Sequence, residues 1–539
     1  MKLWSLKGKH ILIIDDFPGM RSMLRNILSS YNAALIADAS NGEEAIQLLS
    51  SNEYDIILCD YNLGEGKDGQ QVLEEAKERE LLPYSSIFII TTAENTAEMV
   101  MGAVEYTPDD YLSKPFSKEV LIARLKRLVE KKSSLKTIST AIQQRDYILA
   151  SKYCDKQLAN NPKNRLELLK IKVELCLRSN NFDLAESILQ PILDERDISW
   201  ALLYLGQANY HRGNYNEARF IFEDLVEDNP NYLVAHDWLA KIFEKTGDSK
   251  ESQKILANAV IKSPKSILRQ KKLAELAYNN EDYDESENAF KKVIRIGKYS
   301  CYRKSDDFSG LAKVYIRKGQ TTDALKTLGS MKEIFIHADP IDRMKSLVNE
   351  ILLYQELNRN KESLETLKQI LSLFDEIPAA LSSNDAILLA EYCYQNNHNA
   401  EGDMLIKHAI RNNHSNQEVI STIEEKLANF GLDKDVISNL LKSRDEVVEI
   451  NNRGVQMATA GQLSESISLF VKAASAMPEN VVINLNTAQS MIMFMQKHGA
   501  KEELLSQAKK YLEHVTFSGT PSEKYRKLMA SFRQLQRAL

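Results

Sequence analysis

At 539 residues the chain is longer than one hydrophobic core supports, so several domains, or one domain plus a repeat array, are expected. Residues 1–130 hold 13 Lys+Arg against 21 Asp+Glu, a net of −8, and the remainder carries +2, so neither part has the basic surface of a nucleic-acid-binding protein. The five cysteines are scattered singly, which suits a reducing cytoplasm, and no apolar run is long enough for a membrane span, nor does the start resemble a signal peptide.

Short, continuously apolar, isoleucine-rich runs at 11–14, 56–59 and 87–90 have the character of strands buried on both faces of a parallel sheet. With further strand-like runs at 34–37 and 111–112, they alternate with helical patterns at 18–30, 42–51, 70–81, 95–105 and 117–132. A five-fold βα alternation predicts an α/β doubly wound parallel sheet. Ligands of such sheets gather at the carboxyl ends of the strands. There this chain carries Asp15 and Asp16, then Asp60, then Thr92, and Lys114 just after the last run. Three acids, a lysine and a hydroxyl should therefore meet in one crevice. Clustered carboxylates tolerate one another when a cation lies between them, and a hard divalent ion takes oxygen ligands. Singly, each residue has an ordinary explanation: an acidic helix cap before Pro18, a strand-end hydroxyl, a solvated lysine. Their joint order at successive strand ends argues for a site.

The same order of motifs, with the stretch IIDDFPGMRSMLRNIL, resembles the receiver domain of bacterial response regulators, most closely the chemotaxis type, over residues 9–130. The resemblance implies that Asp60 is the phosphoacceptor and that Mg2+ is bound by Asp16 and Asp60, with Asp15 and the backbone carbonyl of Asn62 assisting. It makes Lys114 and Thr92 the partners of the phosphoryl oxygens and Tyr111 the switch aromatic that moves with Thr92. It also makes Asn62 and Glu94 the positions that tune dephosphorylation. The phosphoryl donor would be a sensor histidine kinase or a histidine phosphotransfer protein.

The segment YNLGEGKDG after Asp60 lacks the proline expected after Leu63 and is one residue longer than the receiver pattern. It also matches GxGxxG over 64–69. A dinucleotide site would place these glycines after the first strand, with an acid ending the next one. Here they follow the third apolar run, and they are expected to be flexible turn residues.

From residue 131 strand patterns vanish and a self-similar helix–turn–helix unit appears. Its clearest copy, at 200–230, carries Leu205, Gly206, Gly213, Tyr215, Ala218, Phe222 and Pro230 in tetratricopeptide order. A small residue of the second helix recurs as Ala150, Ala185, Ala218, Ser252, Ser286, Ala324, Ser363 and Gly402, at steps that lengthen after Val293. A further copy carries Gly454, Gly461, Ser466, Phe470 and Pro478. The expectation is two domains, 1–130 and 131–539, the second an all-α solenoid of about ten helix pairs, clearest at 199–232, 233–266 and 447–480. With neither proline nor glycine between 117 and 160, the last sheet-domain helix should run on into the array, with a break at Ser133-Ser134.

The concave face of the array is expected to bind an unidentified protein, and Tyr210, His211, Lys241, Lys245, Lys271 and Tyr278 fall on it. No lysine–asparagine clamp for a C-terminal carboxylate is visible. The histidines lie apart, and HExxH, GxSxG and P-loop motifs are missing, so neither an enzyme nor a DNA-binding output is expected after residue 130. The architecture resembles the Vie-type response regulator without DNA-binding output. Two-component signalling through protein binding in the cytoplasm, without nucleic acid or membrane, is the leading expectation. A receiver that drains or blocks a kinase shared with another regulator is the alternative.

Overall fold

The computed structural model describes residues 4–93, 107–143, 145–160, 162, 164–430, 432, 434–515 and 522–538. The chain divides into two compact units, Met1–Arg303 and Lys304–Leu539.

The first unit opens with a five-stranded sheet, β1 (His10–Ile14), β2 (Leu35–Ala39), β3 (Ile56–Asp60), β4 (Ile87–Thr92) and β5 (Asp110–Ser113), in the order β2-β1-β3-β4-β5. All its pairings are parallel. Alternate residues of the apolar runs build two cores. Leu12, Ile14, Ile57, Cys59, Phe88 and Ile90 pack on one face with α2 (Gly42–Ser51) and α3 (Gly69–Glu78). Ile11, Ile13, Ile56, Leu58, Ile87 and Ile89 pack on the other with α1 (Pro18–Ser29) and α4 (Lys118–Ser133). Burial on both sides explains why these strands read as unbroken hydrophobic runs. The helix expected at 95–105 lies outside the described residues.

The first three helix starts have local causes. Pro18 occupies the first turn of α1, where its missing N–H is no loss. Asn41 caps α2, and Asp68 with Gln71 forms a reciprocal capping box on α3. The end of α4 coincides with the expected break: the hydroxyls of Ser133 and Ser134 donate to the carbonyls of Glu130 and Lys131 at 2.9 Å each. The next helix begins at Lys136.

Paired helices then follow one another, from Lys136–Gln143 with Tyr147–Leu158 to Ile267–Asn279 with Tyr283–Ile296. The second unit continues the pattern from Ser305–Arg317 to Val481–His498 and Glu502–Glu513. A helix beyond the expected last pair, Glu523–Ala538, closes the chain. The longer steps after Val293 correspond to 17-residue helices at Pro340–Glu356 and Asn360–Glu376. The small residues expected at helix crossings are all buried. Where the residue is serine its hydroxyl is spent on the facing helix: Ser252 donates to the Ala240 carbonyl and Ser286 to that of Ala274, both at 2.8 Å, and Ser466 to that of Gly454 at 2.9 Å. Alanine and serine are interchangeable there because the buried hydroxyl finds an acceptor. A side chain at Gly206 would strike the Phe222 ring at 2.5 Å, and Gly454 faces Phe470 in the same way.

Candidate functional site

The carboxyl ends of β1 and β3 bring Asp15, Asp16 and Asp60 together, with one oxygen of each within 4.8 Å of the others. Asp15 is 1% exposed, Asp16 is open to solvent, and Asp60 lies between them in exposure. Lys114, following β5, reaches across with its Nζ 3.0 Å from Asp15 Oδ2 and 2.8 Å from Asp60 Oδ2. Burial raises the Asp60 carboxyl above the usual carboxylate range, against the opposing pull of Lys114. For Lys114 burial alone would lower the ammonium, but its bonds to Asp60 and Asp15 prevail and hold it above the ordinary lysine value. The site is thus a crowded set of anions held by one ammonium. Its donor set of clustered carboxylate oxygens fits a hard divalent cation, which would relieve the remaining repulsion.

Two contacts fix the acidic pair. Asp15 Oδ1 accepts the Phe17 N–H at 2.9 Å, and the Arg21 guanidinium donates to the backbone carbonyls of Asp15 at 2.6 Å and Asp16 at 3.2 Å. Arg21 was not singled out from the sequence, since an arginine one turn into a helix carries no signal that it braces the strand end before it.

Thr92 is buried at the end of β4, and its carbonyl accepts the Lys114 N–H at 2.7 Å. Tyr111 pairs with Ile90 on the adjoining strand, so Thr92 and Tyr111 occupy neighbouring strands. Tyr111 is half-buried, and its hydroxyl is pushed well up by burial and by the nearby Tyr61. Asn62 is exposed at the rim, its Oδ1 accepting the Gly64 N–H at 3.2 Å. Glu94 lies outside the described residues.

The glycines from Asn62 to the first residue of α3 have distinct roles. Gly64 and Gly66 take φ of +75° and +110°, which other residues avoid. Gly69 instead sits where a Cβ would collide with the Asp60 carbonyl, and its N–H donates to Tyr61 O at 2.8 Å. Its part is close packing rather than flexibility. The segment follows the third strand of the chain and leads to β4, so the GxGxxG match has no dinucleotide-binding context.

Residues 11–126 match the family described as response regulator receiver domain, and residues 200–232 match the tetratricopeptide repeat. The N-terminal domain is a response regulator receiver. The chemotaxis protein CheY of Pseudomonas aeruginosa is 29% identical over 121 residues, covering 22% of this chain and 96% of that protein. The transcriptional regulatory protein ResD of Bacillus subtilis is 37% identical over 123 residues, which are 23% of this chain and 49% of ResD. Among solved structures, MamA from residue 41 to its end, of Desulfovibrio magneticus RS-1, aligns at 18% identity and a TM-score of 0.28 over 32% of this chain and 96% of its own. The receiver is followed by a helical array of tetratricopeptide type.

In the array, three of the expected partner-facing residues gather around Trp238. Tyr210 and His211 meet its ring edge-on at 5.3 and 5.8 Å, and the Lys241 ammonium lies 4.2 Å from its centroid. Lys245 is exposed at the end of its helix. Tyr278 packs on Tyr283, and Lys271 donates to the Tyr302 carbonyl, so these two are held in intramolecular contacts. Trp238 was passed over in the sequence, although an aromatic one helical turn before Lys241 is the natural seat for a cation. Among the described residues no helix is long and apolar enough to cross a membrane.

Proposed function

We propose that this protein is a phosphorelay component in which the receiver takes a phosphoryl group on Asp60 and thereby modulates protein binding by the repeat array. The cluster of Asp15, Asp16 and Asp60 under a single lysine carries this reading. An Asp60 oxygen attacks the phosphorus of a phosphohistidine. The P–N bond breaks, the imidazole leaves, and an acyl phosphate forms. Asp15, Asp16, Asp60 and the Asn62 carbonyl would hold Mg2+, which supplies charge neutralisation for the transferring group. Lys114 gives the phosphoryl oxygens a counter-charge by turning from Asp60 toward them, and the Thr92 hydroxyl donates to them. Tyr111, on the adjoining strand, carries the change outward. The donor is a histidine kinase or phosphotransfer protein in the cytoplasm, and the output is protein binding without DNA binding or catalysis. Residues 1–130 act as the input and 131–539 as the output.

The experiment is phosphorylation by acetyl phosphate with Mg2+, followed by comparison of proteins retained by the chain with and without beryllofluoride. The proposal expects Mg2+-dependent labelling that Asp60→Asn abolishes, and an altered set or affinity of retained proteins. Labelling that persists in Asp60→Asn, or binding indifferent to beryllofluoride in a chain that labels, would contradict it.

A further inference from the structure

Within the first unit the array returns to the receiver. The Tyr84 hydroxyl donates to Glu174 at 2.6 Å, and the Ser85 N–H donates to the Ser139 hydroxyl at 3.2 Å. More than a hundred residues further along the chain, a second set of contacts covers α3. Gln71 donates to the Ile296 carbonyl at 3.3 Å, Ser300 to the buried Glu74 at 3.1 Å, and Tyr302 to Glu78 at 2.9 Å.

A further contact reaches the phosphoacceptor loop. Lys265, between two array helices, donates from Nζ to the Tyr61 hydroxyl at 3.1 Å, and its ammonium lies 5.6 Å from the centre of that ring. Tyr61 directly follows Asp60. Its N–H is bound to Thr91 O and its carbonyl to Gly69 N–H, each at 2.8 Å, so its main chain is already tied to β4 and to the start of α3. The array adds a hold on its side chain. The Lys265 charge also acts on Asp68, the cap of α3: burial raises that carboxyl overall, against the opposing pull of its bond to the Gln71 N–H and of Lys265. The loop so fenced, 61–68, carries Asn62, and Gly64 within it leaves room for a Cβ only 3.5 Å from Asp16 Oδ2.

We propose that Lys265 is a positioning residue for the receiver's site: a cation contributed by the array that latches the loop after the phosphoacceptor and makes phosphoryl binding at Asp60 depend on the array. The inference rests on Asp60 being the phosphoacceptor. Holding Tyr61 keeps the Asn62 carbonyl in place for the metal, and the ammonium adds favourable charge on the side where a phosphoryl group brings negative charge. By linkage, whatever displaces Lys265 when a partner binds the array weakens the phosphoryl state by the same factor.

The test uses the full chain with Mg2+ and titrates beryllofluoride, with bound fluoride read by fluorine NMR. Lys265→Met and Tyr61→Phe should each weaken binding about three- to tenfold, the net range of one ordinary intramolecular hydrogen bond. The double variant should be no weaker than Lys265→Met, and Lys265→Arg should restore tight binding. Equal affinity in wild type and both single variants, or losses that add in the double variant, would overturn the latch while leaving Asp60 as acceptor. Wild-type protein that binds no beryllofluoride would overturn the phosphoacceptor reading itself.

Discussion

In the receiver a handful of polar side chains meets at strand ends, above two cores built of branched apolar residues. The array is organised differently. What repeats there is a small buried residue where two helices cross, and its chemical identity drifts among alanine, serine and glycine. The contrast follows from what each region must hold. A charged transferring group needs particular charges at particular distances. A solenoid needs only that helices approach closely and in register, so that a continuous surface results.

The contrast yields substitutions that should behave oppositely in the two regions. The largest expected effect on stability is in the array: Phe470, 1% exposed against Gly454, should cost about 3–5 kcal/mol as Phe470→Ala. Urea unfolding should show that loss in the second unit with phosphorylation by acetyl phosphate unchanged. In the receiver, Lys114→Ala removes the ammonium that pairs with Asp60 and Asp15 and should slow labelling by about a hundredfold. A rate within a factor of two of wild type would remove Lys114 from the chemistry.

A smaller effect separates size from polarity at a crossing. Ser252→Ala should cost about 1 kcal/mol or less, the net value of its bond to the Ala240 carbonyl, and Ser252→Val should cost more by crowding the same contact. Equal midpoints for both variants would mean that the crossing is loosely packed.

The smallest expected effect is a pH dependence of the second unit. Burial lowers His408, which lies edge-on to Phe374 at 4.9 Å with Nε2 3.1 Å from the Leu381 carbonyl, and it lowers His414 as well. Above the unfolded histidine value of about 6.5 both states are neutral. As pH falls below it the unfolded chain takes up protons that the fold resists, so stability declines toward the lowered native values and then levels. Urea midpoints between pH 7.5 and 5.5 should fall, and less steeply in His408→Gln.

The receiver was legible in the sequence because its information is local. Apolar runs mark the buried strands, and each acid or hydroxyl of the cluster ends one. The crossing residues of the array were legible because a repeat states its own register many times over. The return of residues 265–302 to α3 was not legible. It depends on the curvature summed over several helix pairs, which no spacing within one repeat encodes, and Lys265 has no local mark that sets it apart from other exposed lysines. Arg21 escaped for a related reason, since its partners are backbone carbonyls, which are the same in any sequence. The glycines after Asn62 were recognised as turn residues, but only the packing of Gly69 on the Asp60 carbonyl distinguishes it from its neighbours.

The central claim is that Asp60 receives the phosphoryl group, and the most direct measurement is to locate the acyl phosphate. After treatment with acetyl phosphate and Mg2+, borohydride reduction converts a phosphorylated aspartate to homoserine, which peptide mass spectrometry then places. The account predicts homoserine at residue 60, absent when Mg2+ is chelated. Homoserine at Asp15, Asp16 or elsewhere, or none at all in a chain that retains its fold, would contradict it.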